Sequence, residues 1–139
     1  MFVTCFYGIL YPTNGRLVFA NAGHNPPCRL NRNGVTDLRA TGMPLGLMTG
    51  MVYEEKVTVL LPEDGVLFYS DGLVEAHNPQ REMLGSSRLR NLMTGNAPGA
   101  SDLTAKVIEE LGRFTGEDWE QEDDLTLVAL QRLAALGPD

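Results

Sequence analysis

The stretch Val66-Leu67-Phe68-Tyr69-Ser70-Asp71-Gly72 sets the fold class of this chain. Four consecutive apolar residues, too few for a helix and rich in β-formers, predict a central strand buried on both faces. Pro62-Glu63-Asp64-Gly65 is a tight turn before it, and Ser70-Asp71-Gly72 ends it. Working outward, residues 52–60 pass through Val57, Thr58 and Val59 after three charged positions, which predicts a strand with one wet face. Residues 2–10 are apolar, aromatic and β-branched, and predict another buried strand. Pro12-Thr13-Asn14-Gly15 turns it into a returning strand at 16–22, since Asn and Gly accept positive φ. Residues 28–30 and 35–38 predict a second hairpin about Asn33-Gly34.

C-terminal to Asp71 the period changes. Leu89, Leu92 and Met93 predict a helix over 86–94, with Ser86 or Ser87 as its cap. Leu103, Val107, Ile108, Leu111 and Phe114 form an apolar stripe over 101–114, and Gly116 stands just past its end. Residues 125–130 predict a last strand. Strands, two helices and a strand make an α+β fold with mostly antiparallel sheet.

Composition narrows the function. The chain has 139 residues, enough for one domain with a real core, and a net charge of −7. That charge argues against a nucleic-acid partner, which needs clustered Lys and Arg. No apolar run is long enough to span a bilayer and no basic segment opens a signal peptide, so a cytoplasmic protein is expected. Cys5 and Cys28 sit among apolar residues and are expected reduced rather than paired.

Asp71 follows one buried strand, and Asp123-Asp124 precedes another. Two carboxylates on neighbouring strand ends would suit a hard cation such as Mg²⁺ or Mn²⁺. Spacing alone favours a plain Asp-Gly turn and a solvated acidic loop, since Asp-Gly and Asp-Asp dipeptides are common. A serine-hydrolase triad of Ser70, His24 and Asp123 is conceivable on paper, but no Gly-x-Ser-x-Gly elbow accompanies it. Glu75 and His77 could face an approaching substrate or simply water.

Five segments occur in one order. They are Phe2-Val3-Thr4-Cys5-Phe6-Tyr7-Gly8, Asn21-Ala22-Gly23-His24-Asn25-Pro26-Pro27, Pro44-Leu45-Gly46, Phe68 through Ala76, and Asp123-Asp124-Leu125-Thr126-Leu127. Order and spacing together resemble the SpoIIE/RsbU branch of the metal-dependent Ser/Thr phosphatases, the type 2C fold group, with residues 1–130 as the C-terminal portion of the domain and 131–139 as a tail.

The resemblance implies part of an α-β-β-α sandwich with two metals, Mn²⁺ or Mg²⁺, at one end between the sheets. They activate a water that attacks a phosphoserine or phosphothreonine, with no covalent intermediate. Asp71 matches the aspartate of the family's Asp-Gly motif and Asp123 the first of its Asp-[Asp/Asn]-x-Thr motif; both are catalytic metal ligands there. By the same match Gly72 leaves room at the metal and Asp124 supports the site from behind. His24 stands where eukaryotic-type relatives carry an Asp near a third metal, so a supporting role is open beside a purely structural one in a rigid turn. The implied partner is a phosphorylated regulatory protein of the bacterial anti-anti-sigma type. The family's Gly-Asp-Val-Ser-Gly segment, whose Asp bridges the metals, has no match in these residues. An incomplete site is therefore expected, with self-association through an exposed sheet and a non-catalytic interaction module as the alternative.

Overall fold

The computed structural model describes residues 1–94, 100–117, 119 and 124–133, the first three of the stretch from 100 by backbone alone. The strands are β1 Cys5–Tyr11, β2 Arg16–Ala22, β3 Cys28–Asn31, β4 Gly34–Asp37, β5 Lys56–Val59, β6 Gly65–Tyr69 and β7 Leu127–Gln131. The helices are α1 Asp71–Val74, α2 Gly85–Met93 and α3 Ala100–Thr115. Two antiparallel sheets result, ordered β1-β2-β5 and β4-β3-β6-β7.

The strand β6 explains how the layers stack. Its side chains alternate, as a pleat requires. Leu67 and Tyr69 enter a core shared with the helices, where they join Cys28, Leu30, Leu89, Val107 and Leu111. Val66 enters a second core between the sheets, with Leu17, Phe19 and Leu60, and Phe68 packs against it. Phe6 bridges the two sheets: its ring stacks on Phe19 at 5.5 Å and meets Phe68 edge-on at 5.6 Å. Val66 and Leu67 are fully buried, so the expected two-faced strand is present. A polar pin accompanies the apolar contact. Arg29 on β3 donates to Thr58 Oγ1 at 2.7 Å and pairs with the nearly buried Asp64 at 2.8 Å, tying one sheet to the other.

Several local expectations change. The first strand starts at Cys5 rather than residue 2, and only its inner face is covered. Phe6 and Leu10 pack on the inter-sheet core, whereas Tyr7, Ile9 and Tyr11 on the opposite face are exposed. Burial of a strand depends on what lies across it, which its own apolar residues do not state. The strand expected over 52–60 shrinks to β5, because only residues 56–59 register with β2. Asp71 opens the short helix α1, so there are three helices among the described residues instead of two. Ser86 and Ser87 lie inside α2; the cap position is Leu84, which makes no side-chain cap bond. In α3 the stripe holds for Leu103, Val107, Leu111 and the half-buried Phe114, but Ile108 is exposed at the stripe's margin. β7 runs to Gln131, and Arg132 beyond it donates to Leu60 O at 2.6 Å. Residues 134–139 of the expected tail lie outside the described residues. Both cysteines are free; Cys28 is buried and Cys5 partly so.

Candidate metal-phosphatase site

The end of β6 carries the candidate site. Ser70 leaves the strand with its N–H bonded to Thr126 O at 3.0 Å. Its hydroxyl donates to Asp124 O at 3.1 Å and accepts from Thr126 N at 2.9 Å. Three bonds from one residue therefore fasten the 124–126 segment beside Asp71, the next residue along. Gly72 and Leu73 are buried beneath, which turns the Asp71 carboxylate outward at an exposed sheet end.

The Asn21–Pro27 segment forms the neighbouring wall. Asn21 closes it on itself: its side chain accepts from His24 N at 2.7 Å and donates to His24 O at 2.9 Å. The same turn carries Asn25, whose amide donates to Asp71 Oδ1. His24 points elsewhere, its Nδ1 meeting Thr4 Oγ1 at 3.1 Å. Asn25 is thus the Asp71 partner that reading the sequence for His24 passed over. An Asn held immediately before Pro26-Pro27 was the available signal, since two prolines restrict the backbone that aims it. The Ser70–His24–Asp123 triad has no geometric support, because the Ser70 hydroxyl and the His24 imidazole are each engaged with other groups. The backbone of His77 pairs with that of Met83 in an isolated bridge.

The donor set fits one edge of a divalent-cation site. Asp71 presents a hard carboxylate at a fixed, open position, and the segment bearing Asp124 is bonded beside it. A Mg²⁺-type ion is commonly held by one or two carboxylates with water completing the shell. Among the described residues no group of three or more His, Cys, Asp or Glu converges as a metal cluster. Asp123, the expected second ligand, lies outside the described residues, as does most of the acidic run before it.

The family model for Stage II sporulation protein E (SpoIIE) matches residues 1–133. The chain belongs to the SpoIIE family. Protein IcfG of Synechocystis sp. is 32% identical over 134 residues, a match that spans 95% of this chain and 21% of IcfG. The solved RsbU and RsbW domains of Rv1364c from Mycobacterium tuberculosis superpose with a TM-score of 0.79 at 30% identity, over 96% of this chain and 37% of that one. The phosphatase domain of SpoIIE from Bacillus subtilis gives a TM-score of 0.75 at 18% identity, over 98% of this chain and 59% of that one. The two sheets and the helices on one of them are therefore part of the type 2C phosphatase fold, in a SpoIIE-family chain that spans between 21% and 59% of these relatives' length. Among the described residues no helix is long and apolar enough to cross a membrane.

Proposed function

We propose that this SpoIIE-family chain contributes the β6 side of a metal-dependent phosphatase site acting on phosphoserine or phosphothreonine in a regulatory protein. The observation that carries the reading is the Ser70 fastening, which holds Asp71 next to the 124–126 segment at the open end of the sandwich. Asp71 would hold a Mn²⁺ or Mg²⁺ ion, with Asp123 as its companion ligand and Asp124 supporting. When bound, such an ion supplies charge neutralisation at the phosphate and a more acidic water. The chain's own residues do the positioning. Asn25 orients one carboxylate oxygen of Asp71, Ser70 fixes the spacing between the two strand ends, and the buried Gly72 leaves room above α1.

The test uses two readouts, a Mn²⁺-induced rise in melting temperature and Mn²⁺-dependent turnover of p-nitrophenyl phosphate. Asp71→Asn keeps the shape and the contact with Asn25 while removing the charge. We expect it to abolish the thermal response and any turnover. A Mn²⁺ response equal in wild type and Asp71→Asn, or absent in wild type, overturns the assignment. One observation favours a second reading as an interaction module: Tyr7, Ile9, Val57 and Val59 stand exposed together on the outer face of β1-β2-β5. A metal response without turnover, combined with self-association, supports that reading instead.

A further inference from the structure

A polar recess of about 250 Å³ lies on the far side of the same turn, lined by Asn21, Gly23, His24, Arg39, Glu54 and Lys56, among others. Its walls are built rather than accidental. Gly23, at φ +68°, sits so close to Pro44 that a Cβ there would lie 2.6 Å from the proline ring. At Gly42 a Cβ would lie 2.1 Å from Asn21 O and 2.6 Å from the Tyr53 ring. Glu54 then closes the loop: its carboxylate accepts from Thr41 N at 3.1 Å, and its own N–H bonds Thr41 O at 3.1 Å. The 39–44 segment is therefore pressed onto the turn that carries Asn25, and Asn25 reaches Asp71.

The lining has the opposite charge sense to the molecule. Arg39 and Arg90 share the carboxylate of Asp37, at 2.9 and 3.5 Å, and Lys56 stands 3.5 Å from Glu54. Among the lining residues themselves, Arg39 and Lys56 face one carboxylate, Glu54, in a chain of net charge −7. The Lys56–Glu54 pair is half-exposed and worth ~1 kcal/mol or less, so Lys56 can turn to a ligand at small cost. Arg39 is mostly exposed but pairs with the nearly buried Asp37, which keeps Arg90 as a partner when Arg39 turns away.

We propose that this recess recognises an acidic side chain flanking the phosphorylated residue of the substrate, so that His24, Arg39 and Lys56 set sequence preference while Asp71 serves the phosphate. The proposal rests on the phosphatase reading above for the position of the phosphate. Asn25, which reaches Asp71, stands between His24 and Pro26, which line the recess, and consecutive residues lie about 3.8 Å apart, so the recess opens within a few residues' span of Asp71.

The experiment measures dissociation constants by fluorescence anisotropy in Mn²⁺ and low salt. The probes are two peptides with a non-hydrolysable phosphonate in place of phosphoserine, one with flanking Glu and one with flanking Gln. Wild type is expected to prefer the Glu peptide by about five- to tenfold, the range two rim charge contacts supply. The double variant Arg39→Ala/Lys56→Ala is expected to bring the two peptides within twofold of each other. Arg32→Ala/Arg113→Ala, which removes the same charge elsewhere, is expected to keep the preference. A wild type that does not discriminate, or binds neither peptide, overturns the proposal, as does a preference that survives the double variant or collapses in the control. Asp71→Asn separates the two readings. If the phosphatase reading alone fails, that variant leaves both affinities unchanged and the Arg39/Lys56 effect stands. If the recess alone fails, Asp71→Asn weakens both peptides and the Arg39/Lys56 variant keeps their ratio.

Discussion

Removing the Ser70 hydroxyl should loosen the candidate site without emptying a core. Ser70→Ala deletes two hydrogen bonds, the donation to Asp124 O and the acceptance from Thr126 N, and leaves the backbone bond from Ser70 N to Thr126 O. Each bond contributes about 0.5–1.5 kcal/mol net. Both lie where water reaches, so the orphaned groups are partly rehydrated and the lower half of the range applies. The sum is ~1–2 kcal/mol, or ~3–8 °C in melting temperature for a domain of this size. Urea unfolding followed by circular dichroism reads it directly, with an unchanged slope showing that the native state stays compact. The Mn²⁺-induced thermal shift should shrink as well, because Asp71 and the 124–126 segment lose their fixed spacing. Ser70→Thr keeps an oxygen at the same place and should recover most of both effects. A loss below about 0.3 kcal/mol, or a full Mn²⁺ shift in Ser70→Ala, would refute the idea that this hydroxyl holds the two strand ends together.

Two further outcomes follow from packing and burial. Gly42→Ala pushes a Cβ against the Asn21 backbone carbonyl, which cannot yield as a side chain would, so a loss of about 1–3 kcal/mol in urea unfolding is expected; a neutral substitution would show that the loop is not pressed on the turn. Alkaline pH should destabilise the fold. Burial, with Asp37 nearby, pushes the Cys28 thiol from 9.0 up to about 12, and burial beside Cys28 raises the Tyr69 phenol too. Groups raised on folding contribute stability that is full below the unfolded value and is lost as pH climbs toward the folded one. The unfolding free energy should therefore hold to about pH 9 and fall above it, at up to ~1.4 kcal/mol per pH unit for one group, and the urea midpoint should fall with it. Cys28→Ala should flatten that fall, and equal midpoints for wild type at pH 8 and 10.5 would contradict the burial argument.

The parts of the fold that a local pattern encodes were legible in the sequence. The run Val66–Tyr69 is buried on both faces, the Pro12–Gly15 and Asn33–Gly34 turns close hairpins, and Leu103, Val107 and Leu111 do face the core. What was not legible depends on partners distant in the chain. Tyr7 and Ile9 read as part of a buried strand because the stretch is apolar, yet whether they are covered is decided by what lies over the β1-β2-β5 face. Ser70-Asp71-Gly72 read as a turn because those residues favour turns; Leu73, wholly buried against the helical core, draws the segment into α1 instead. At the candidate site the strand-end position of Asp71 was legible, its role as a ligand came only from the resemblance of the surrounding motifs, and its hydrogen-bond partner was not legible. Asn25 is separated from Asp71 by 46 positions, and only the pairing of β3 with β6 brings the two together.

That pairing also explains why the two halves of the proposed site differ in rigidity. Asp71 follows a strand whose neighbours on both sides are paired and whose Val66 and Leu67 are fully buried in separate cores. Each such side chain holds about 1.5–3 kcal/mol of burial, so Asp71 moves only if both cores open. The recess beyond Asn25 is framed differently. Its outer wall belongs to the 38–55 connection, which has no strand or helix and touches the N-terminal segment through one isolated bridge, Val3 to Leu45. Leu38 seats its start, donating to Pro27 O at 2.9 Å and packing with Ala40 on the inter-sheet core, and the close approaches at Gly23 and Gly42 seat it on the turn. Asp71, proposed to hold a metal ion, is thus anchored to the core, whereas of the groups proposed to read the flanking residue Arg39 is carried on the connection and Lys56 is the first residue of β5. Substitutions at Arg39 or Lys56 should change the charge presented at the recess while β6 and the Ser70 fastening stay as they are.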